Sequence, residues 1–275
     1  MFPWADGGDL REFWKNNDLR PRTPALILWS LRQMLGIVSA IRALHGKNGR
    51  HGDIKPQNIL HFLESEGGNN DEEGILVIAD VGISKFHRET TSMRNAPTNS
   101  KEVTVSYEAP EAQSDQREGK PRSRRYDMWS LGCMFLEFTV WLVHNNYAVR
   151  SFRRRRLPRD DPTTAPGNFF TRSSESSFQI HSAVTEAIKH LRSNPLCKSN
   201  SALGDLVQLI EEHLLQTEVL KRAEAPELFD RLEKIVRAAE ERQEYVGRQT
   251  EASSAIPEFF NRSGSRHNSA SGASI

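Results

Sequence analysis

Downstream of Pro24, the apolar residues Leu28, Leu31, Leu35, Val38, Ile41 and Leu44 recur at intervals of three and four. This spacing makes one apolar stripe about five helical turns long. A stripe of that length predicts the buried spine of a helical domain, and nothing on it is reactive. It delivers the chain to His51-Gly-Asp-Ile-Lys-Pro-Gln-Asn-Ile-Leu60. This decapeptide gathers an acid, a cation, a turn-setting proline and a carboxamide into a segment too short and polar to be a buried element, so it predicts a loop able to do chemistry.

Around this pair the chain reads as mainly α with a small β hairpin. Asp9 can cap a short helix over Leu10 to Lys15. Ile59 to Leu63 and Gly74 to Ala79 are β-capable runs. The acidic Glu64 to Glu73 between them predicts a solvated hairpin tip rather than a cation site, because it lacks ligand spacing. Leu131 to Val143, interrupted by Glu137, predicts a core helix. Arg150 and Arg153 to Arg156 precede Pro158, Pro162 and Pro166, a composition that predicts a solvated loop. Further helices are predicted over Gln179 to Arg192, Ser201 to Thr217 and Ala225 to Tyr245. The last has an inner face of Leu228, Leu232, Ile235, Val236 and Ala239. From Gly247 to Ile275, Ser, Gly, Ala and Asn prevail and predict a disordered tail.

At 275 residues, with 37% apolar and 27% charged side chains, the chain has ordinary globular composition. A formal charge of +1 gives no argument for nucleic acid or an anionic membrane as partner. The arginines do not interleave with aromatic residues as single-strand binders require. Cys133 and Cys197 stand far apart without a second ligand pair, which fits neither a zinc site nor a disulfide framework. The Leu131 to Val143 run is well short of the roughly 20 residues of a membrane span. The N-terminus lacks a signal-peptide pattern. These readings predict an intracellular protein, cytoplasmic or nuclear, with no membrane and no nucleic-acid partner.

Taken singly, each short motif is weak; in order they are specific. Gly7-Gly8-Asp9-Leu10, His51 to Leu60, Asp80-Val81-Gly82, Ala109-Pro110-Glu111 and Asp127-Met128-Trp129-Ser130-Leu131-Gly132 succeed one another. Their order and spacing resemble the C-terminal lobe of the eukaryotic protein kinase family, Ser/Thr type. The resemblance covers residues 1 to 246 and implies the C-terminal-lobe part of an α+β fold.

Phosphoryl transfer needs metal ions held against the phosphates and an acceptor hydroxyl placed beside a proton acceptor. The resemblance implies ATP and Mg²⁺ as cofactors and a protein Ser or Thr hydroxyl as acceptor. It gives Asp53 the proton, Lys55 the charge growing on the transferred group, and Asn58 and Asp80 the metal. Asp9 would meet the ribose, and Leu60 would lie beneath the adenine. Lys55 and Thr104 match the Ser/Thr class. Glu111 and Arg222 are expected to form an ion pair within ~4 Å, and Asp127 to cap the backbone of the 51–60 loop.

Two positions depart from the family pattern. Val81 stands where Phe is usual. Gly52 stands where an Arg is usual, and that Arg receives the phosphate in kinases switched by phosphorylation of this segment. Phosphate on Thr90, Thr91, Ser92 or Thr98 is therefore not expected to switch this chain. The resemblance begins at the hinge, so the Gly-rich loop and strand Lys of an N-terminal lobe are not expected among these residues, and the chain alone is expected to be a weak or inactive kinase. A pseudokinase-like scaffold or binding module, or a non-functional remnant, are the alternative readings.

Overall fold

The computed structural model describes residues 5–63, 73–80, 106–112, 123–157, 167–173, 177–247 and 258–261. Helix α1 (Leu10–Asn16) starts where the Asp9 carboxylate accepts the N–H groups of Arg11 and Glu12. The Glu12 carboxylate in turn accepts the N–H of Asp9, completing a capping box. Helix α2 (Pro24–Gly46) opens with Thr23 Oγ1 accepting the Leu26 N–H at 3.1 Å and Pro24 in the first turn, where its missing N–H costs nothing. Leu31, Val38 and Ile41 of the predicted stripe are buried. Leu26, Ile27, Trp29, Met34 and Ile37 are buried as well, because α2 is covered on more than one side. By length and composition α2 could cross a bilayer; in this fold half of that apolar window is buried inside the protein.

Strands β1 (Ile59–Phe62) and β2 (Ile75–Ile78) pair antiparallel, Ile59 opposite Ile78 and Phe62 opposite Ile75. The hairpin is strapped to α2 by Trp29 Nε1–H donating to the Gly74 carbonyl at 2.8 Å and Leu76 N–H donating to Gln33 Oε1 at 2.8 Å. Of the acidic run between the strands, Glu73 is described: its carboxylate pairs with Arg20. Residues 64–72 lie outside the described residues.

Helix α3 (Arg125–Val143) is the centre of the molecule, with every residue from Tyr126 to Val143 buried. At Gly132 a Cβ would come within 2.8 Å of Leu214 Cβ, so only glycine lets α3 approach the π-helical turn Ile210–Leu214 this closely. Helix α4 (Asn146–Arg155) corrects the loop predicted for the arginine cluster. Asn145 Oδ1 caps it by accepting the Ala148 N–H at 2.9 Å, and Arg153 to Arg155 fill the last turn, where the helix dipole favours cations.

A second two-stranded sheet, β3 (Phe170–Arg172) with β4 (Phe178–Ile180), was not predicted. Phe178 packs edge-on against Phe170, ring centroids 5.3 Å apart, and this contact holds as strand the residues expected to open a helix. The helix α5 (Ser182–Ser193) begins only after His181 caps it. Helix α6 (Ala202–Leu209) runs into the π-helical turn, and α7 (Ala225–Glu241) lies along α2 with all five predicted inner-face residues buried. Extended backbone at Arg242 separates α7 from α8 (Gln243–Val246), which had been predicted as one helix. Of the 247–275 segment predicted to be a tail, Gly247 and a short helix α9 (Glu258–Asn261) are described, and the remainder lies outside the described residues. Both cysteines are buried free thiols. The fold is mainly α with small antiparallel sheets.

Candidate active site

The 51–60 loop hangs from one buried carboxylate. Asp127, in the first turn of α3 and fully buried, accepts the N–H of His51 at 2.9 Å, the N–H of Gly52 at 2.8 Å and the His45 Nε2–H at 2.8 Å. A carboxylate taken out of water must find such donors, and these hold two consecutive loop amides in place, as expected for a backbone cap. Gly52 bends the loop there with φ +78°, the left-handed region that side chains disfavour.

The His51 ring ties the loop to the hairpin. Its Nε2–H donates to the Ala79 carbonyl at 2.8 Å, leaving Nδ1 to accept the Asp53 N–H at 3.3 Å. The Ala79 N–H donates to the Asn58 carbonyl at 2.8 Å, extending the strand pairing by one residue. Asp80 follows directly, exposed and with φ +59°. Topology thus places Asp80 next to the residue paired with Asn58.

Within the loop three side chains converge. Lys55 Nζ donates to Asp53 Oδ2 at 2.8 Å, and Asn58 Nδ2 donates to the same oxygen at 3.0 Å and to the Asp53 carbonyl at 2.7 Å. Pro56 starts the 3₁₀ turn Pro56–Asn58 that turns Asn58 back onto Asp53. With its amide nitrogen committed, Asn58 has Oδ1 left over, and among the described residues no hydrogen bond to it or to the Asp80 carboxylate is recorded. Two oxygen donors, one anionic, fit a hard cation that keeps water and phosphate as its other ligands.

Asp9 and Leu60 meet across an antiparallel bridge in which the His61 N–H donates to the Gly8 carbonyl at 2.8 Å and Gly7 N–H to the His61 carbonyl at 3.0 Å. One Asp9 oxygen is used as the helix cap, so the same residue has a structural duty besides any contact with a ligand. Gln57, its carboxamide oxygen turned to Arg11, accepts from Arg11 Nη1 at 2.9 Å and Nε at 3.0 Å. This ties the loop to α1.

Beneath the loop, Arg222 grips Glu111 at 2.7 and 2.8 Å, as the motif order predicted. A buried cluster that sequence reasoning missed lies beside it. Glu137 accepts the Tyr107 hydroxyl at 2.6 Å on one oxygen and Arg156 Nη2 at 2.7 Å on the other. Burial and the adjacent Glu137 push the Tyr107 hydroxyl pKa far up, so it stays a donor. Half of the signal was present, since a carboxylate inside the apolar run of α3 needs a buried cation, but five arginines follow it between positions 150 and 156 and their order does not say which one answers. Val81, Gly82, Thr90, Thr91, Ser92, Thr98 and Thr104 lie outside the described residues.

The family described as protein kinase domain matches residues 4–229. The serine/threonine-protein kinase nekl-2 of Caenorhabditis elegans is 28% identical over 221 residues, 78% of this chain and 52% of that protein. A probable myosin light chain kinase of Dictyostelium discoideum is 37% identical over 101 residues, 37% of this chain and 18% of the relative. A calcium/calmodulin-dependent protein kinase of Metarhizium anisopliae is 32% identical over 136 residues, half of this chain and 31% of the relative. The chain thus spans about half the length, or less, of these relatives. With a match running from before Asp9 into the first turns of α7 and the site motifs in family order, the chain belongs to the protein kinase family.

Proposed function

We propose that this chain carries the catalytic loop and metal-holding residues of a protein serine/threonine kinase that transfers the γ-phosphoryl group of ATP to a Ser or Thr hydroxyl of a protein substrate. The observation that carries the reading is the convergence of Lys55 and Asn58 on Asp53, with Asp80 one residue beyond the Asn58–Ala79 bond. Lys55, two positions after Asp53, supports the Ser/Thr class.

In this reading Asp53 orients the acceptor hydroxyl and takes its proton as the new O–P bond forms. Its hydrogen bond from Asn58 fixes the carboxylate rotamer. Lys55, resting on Asp53 at 2.8 Å, swings its ammonium to the transferred group. Asn58 and Asp80 would hold Mg²⁺, which would supply the positive charge that phosphate oxygens require. Asp9 and Leu60 lie side by side to receive ribose and adenine. The residues named here form one wall of a nucleotide cleft. An intracellular location fits two buried free thiols.

The test is phosphate incorporation from labelled ATP into a generic protein substrate, with phosphoamino-acid analysis, for the chain alone and within any longer natural form. Asp53→Asn should lower turnover by roughly 10²- to 10⁴-fold, the usual worth of a general base, with little change in nucleotide affinity. Asp80→Asn should weaken the Mg²⁺ dependence of nucleotide binding. Activity in the longer form indifferent to both substitutions would overturn the reading in favour of a scaffold.

A further inference from the structure

The helix α9 is separated from the rest of the described chain, yet Phe260 is completely buried. It enters a socket between α4 and α5. Its ring lies 5.1 Å from His144, at the end of α3, and edge-on to His190 of α5 at 5.4 Å. Its carbonyl accepts the hydroxyl of Ser151 on α4. The neighbouring Phe259 stacks on His190 at 5.9 Å and lies under the Arg155 guanidinium, 4.2 Å from the ring centroid. The two phenylalanines contact each other edge to face at 4.7 Å.

Each element of this arrangement is chemistry for recognising an aromatic pair. Imidazole and phenyl rings meet in the tilted and edge-on geometries their quadrupoles favour. A guanidinium over a ring face adds a cation–π contact. A serine hydroxyl reads the backbone. The docking carries a cost: His144 Nε2 is buried with no hydrogen-bond partner among the described residues. A seated Phe260 covers an imidazole nitrogen that water would otherwise satisfy, so leaving the socket regains a hydrogen bond that staying forfeits.

We propose that the groove formed by His144, Ser151, Arg155 and His190 is a receptor site for a Phe-Phe linear motif, and that its resident occupant is the chain's own Phe259–Phe260, docked in cis and able to exchange. Nothing in this inference rests on the kinase chemistry, because the socket is built from the far ends of α3 and α4 and from α5. Tethering supplies an effective concentration of about a millimolar. A free peptide of the same sequence with a Kd of about 100 µM would then find the socket about nine-tenths occupied in the intact chain.

The experiment uses the full 275-residue chain with a specific protease site inserted in the connection 248–257. A fluorescent peptide spanning residues 254–264 serves as probe. Before cleavage the probe should bind weakly or not at all. After cleavage and dilution the released fragment should leave, and the probe should then bind saturably at least tenfold better, as it should to the uncleaved Phe259→Ala/Phe260→Ala variant. A probe with both phenylalanines changed to alanine should not bind. A fragment that stays until the whole domain unfolds would make Phe260 part of the core and overturn the proposal. So would a cleaved, folded chain that loses the fragment but ignores the probe.

Discussion

Arg222 holds Glu111 through two parallel bonds, Nη1 to Oε1 at 2.7 Å and Nη2 to Oε2 at 2.8 Å, with the guanidinium fully buried. The same guanidinium donates from Nε to the Gln216 carbonyl at 2.6 Å and lies 5.1 Å from the Trp129 ring centroid. Removing one partner of such a pair leaves a desolvated charge, which costs about 3–5 kcal/mol. Arg222→Ala should therefore lower urea-unfolding stability by about that amount. Arg222→Lys should recover only a part, because an ammonium cannot make the planar double bond and serve the Gln216 carbonyl as well. Full recovery by Lys would show that the fork geometry is unimportant.

The Tyr107–Glu137–Arg156 cluster obeys the same arithmetic more severely, since all three groups are buried. Arg156→Met should destabilise by about 3–5 kcal/mol, whereas Tyr107→Phe, which removes one donor and leaves the ion pair, should cost about 1–3 kcal/mol. The double variant Glu137→Gln/Arg156→Met should be more stable than Arg156→Met alone. Equilibrium unfolding of the wild type, Glu137→Gln, Arg156→Met and the double variant as a mutant cycle measures the coupling, and strict additivity would contradict a shared network.

These two clusters also mark what was legible in the sequence. The Glu111–Arg222 pair and the capping role of Asp127 could be named in advance because motif order fixes their places; Asp53, Lys55 and Asn58 stood together in one decapeptide, but their mutual hydrogen bonds appear only in the fold. Arg156 could not, since a run of arginines beside prolines has the composition of solvated surface, and only tertiary contact reveals that one of them is buried on Glu137. The β3–β4 pair escaped because strands of three residues carry too little periodicity to compete with the helical pattern that follows. Phe259 and Phe260 escaped for the opposite reason: two apolar residues in a polar stretch give no period, and their significance lies in a socket assembled from helices elsewhere in the chain.

Gly52 offers a third test. With φ at +78°, a side chain here meets the steric penalty of the left-handed region, about 1–2 kcal/mol. Gly52→Arg, which installs the residue usual in the family, should lower the unfolding free energy by that much without disturbing the Asp127 bonds to the amides of His51 and Gly52. With Gly52 in place, alanine at Thr90, Thr91, Ser92 and Thr98 together should leave kinase activity within about twofold, because no arginine stands at position 52 to receive a phosphate. A collapse of activity in that quadruple variant would mean that another cation takes the role.

The socket beneath Phe260 should make stability depend on pH. Burial, reinforced by His190, pulls the His144 pKa from its ordinary 6.5 down to about 4. Burial also lowers that of His190. Of the other charged groups at the socket, Arg155 of α4 is held by Glu186 of α5 at 3.0 Å. Because the folded-state pKa is depressed, the unfolded chain takes up the proton first as pH falls. The stability contributed by a neutral His144 is complete above about pH 6.5, declines below it, and is lost by about pH 4, for a change of at most about 3 kcal/mol. His144→Phe cannot titrate and should flatten that part of the profile. Urea midpoints measured between pH 7.5 and pH 4.5 should therefore fall more steeply for the wild-type chain than for His144→Phe, and the tail probe should enter the uncleaved wild-type socket more readily at the acidic end only if protonation loosens Phe260 before it weakens the site itself. Parallel midpoint curves for the two proteins would place the titrating group elsewhere.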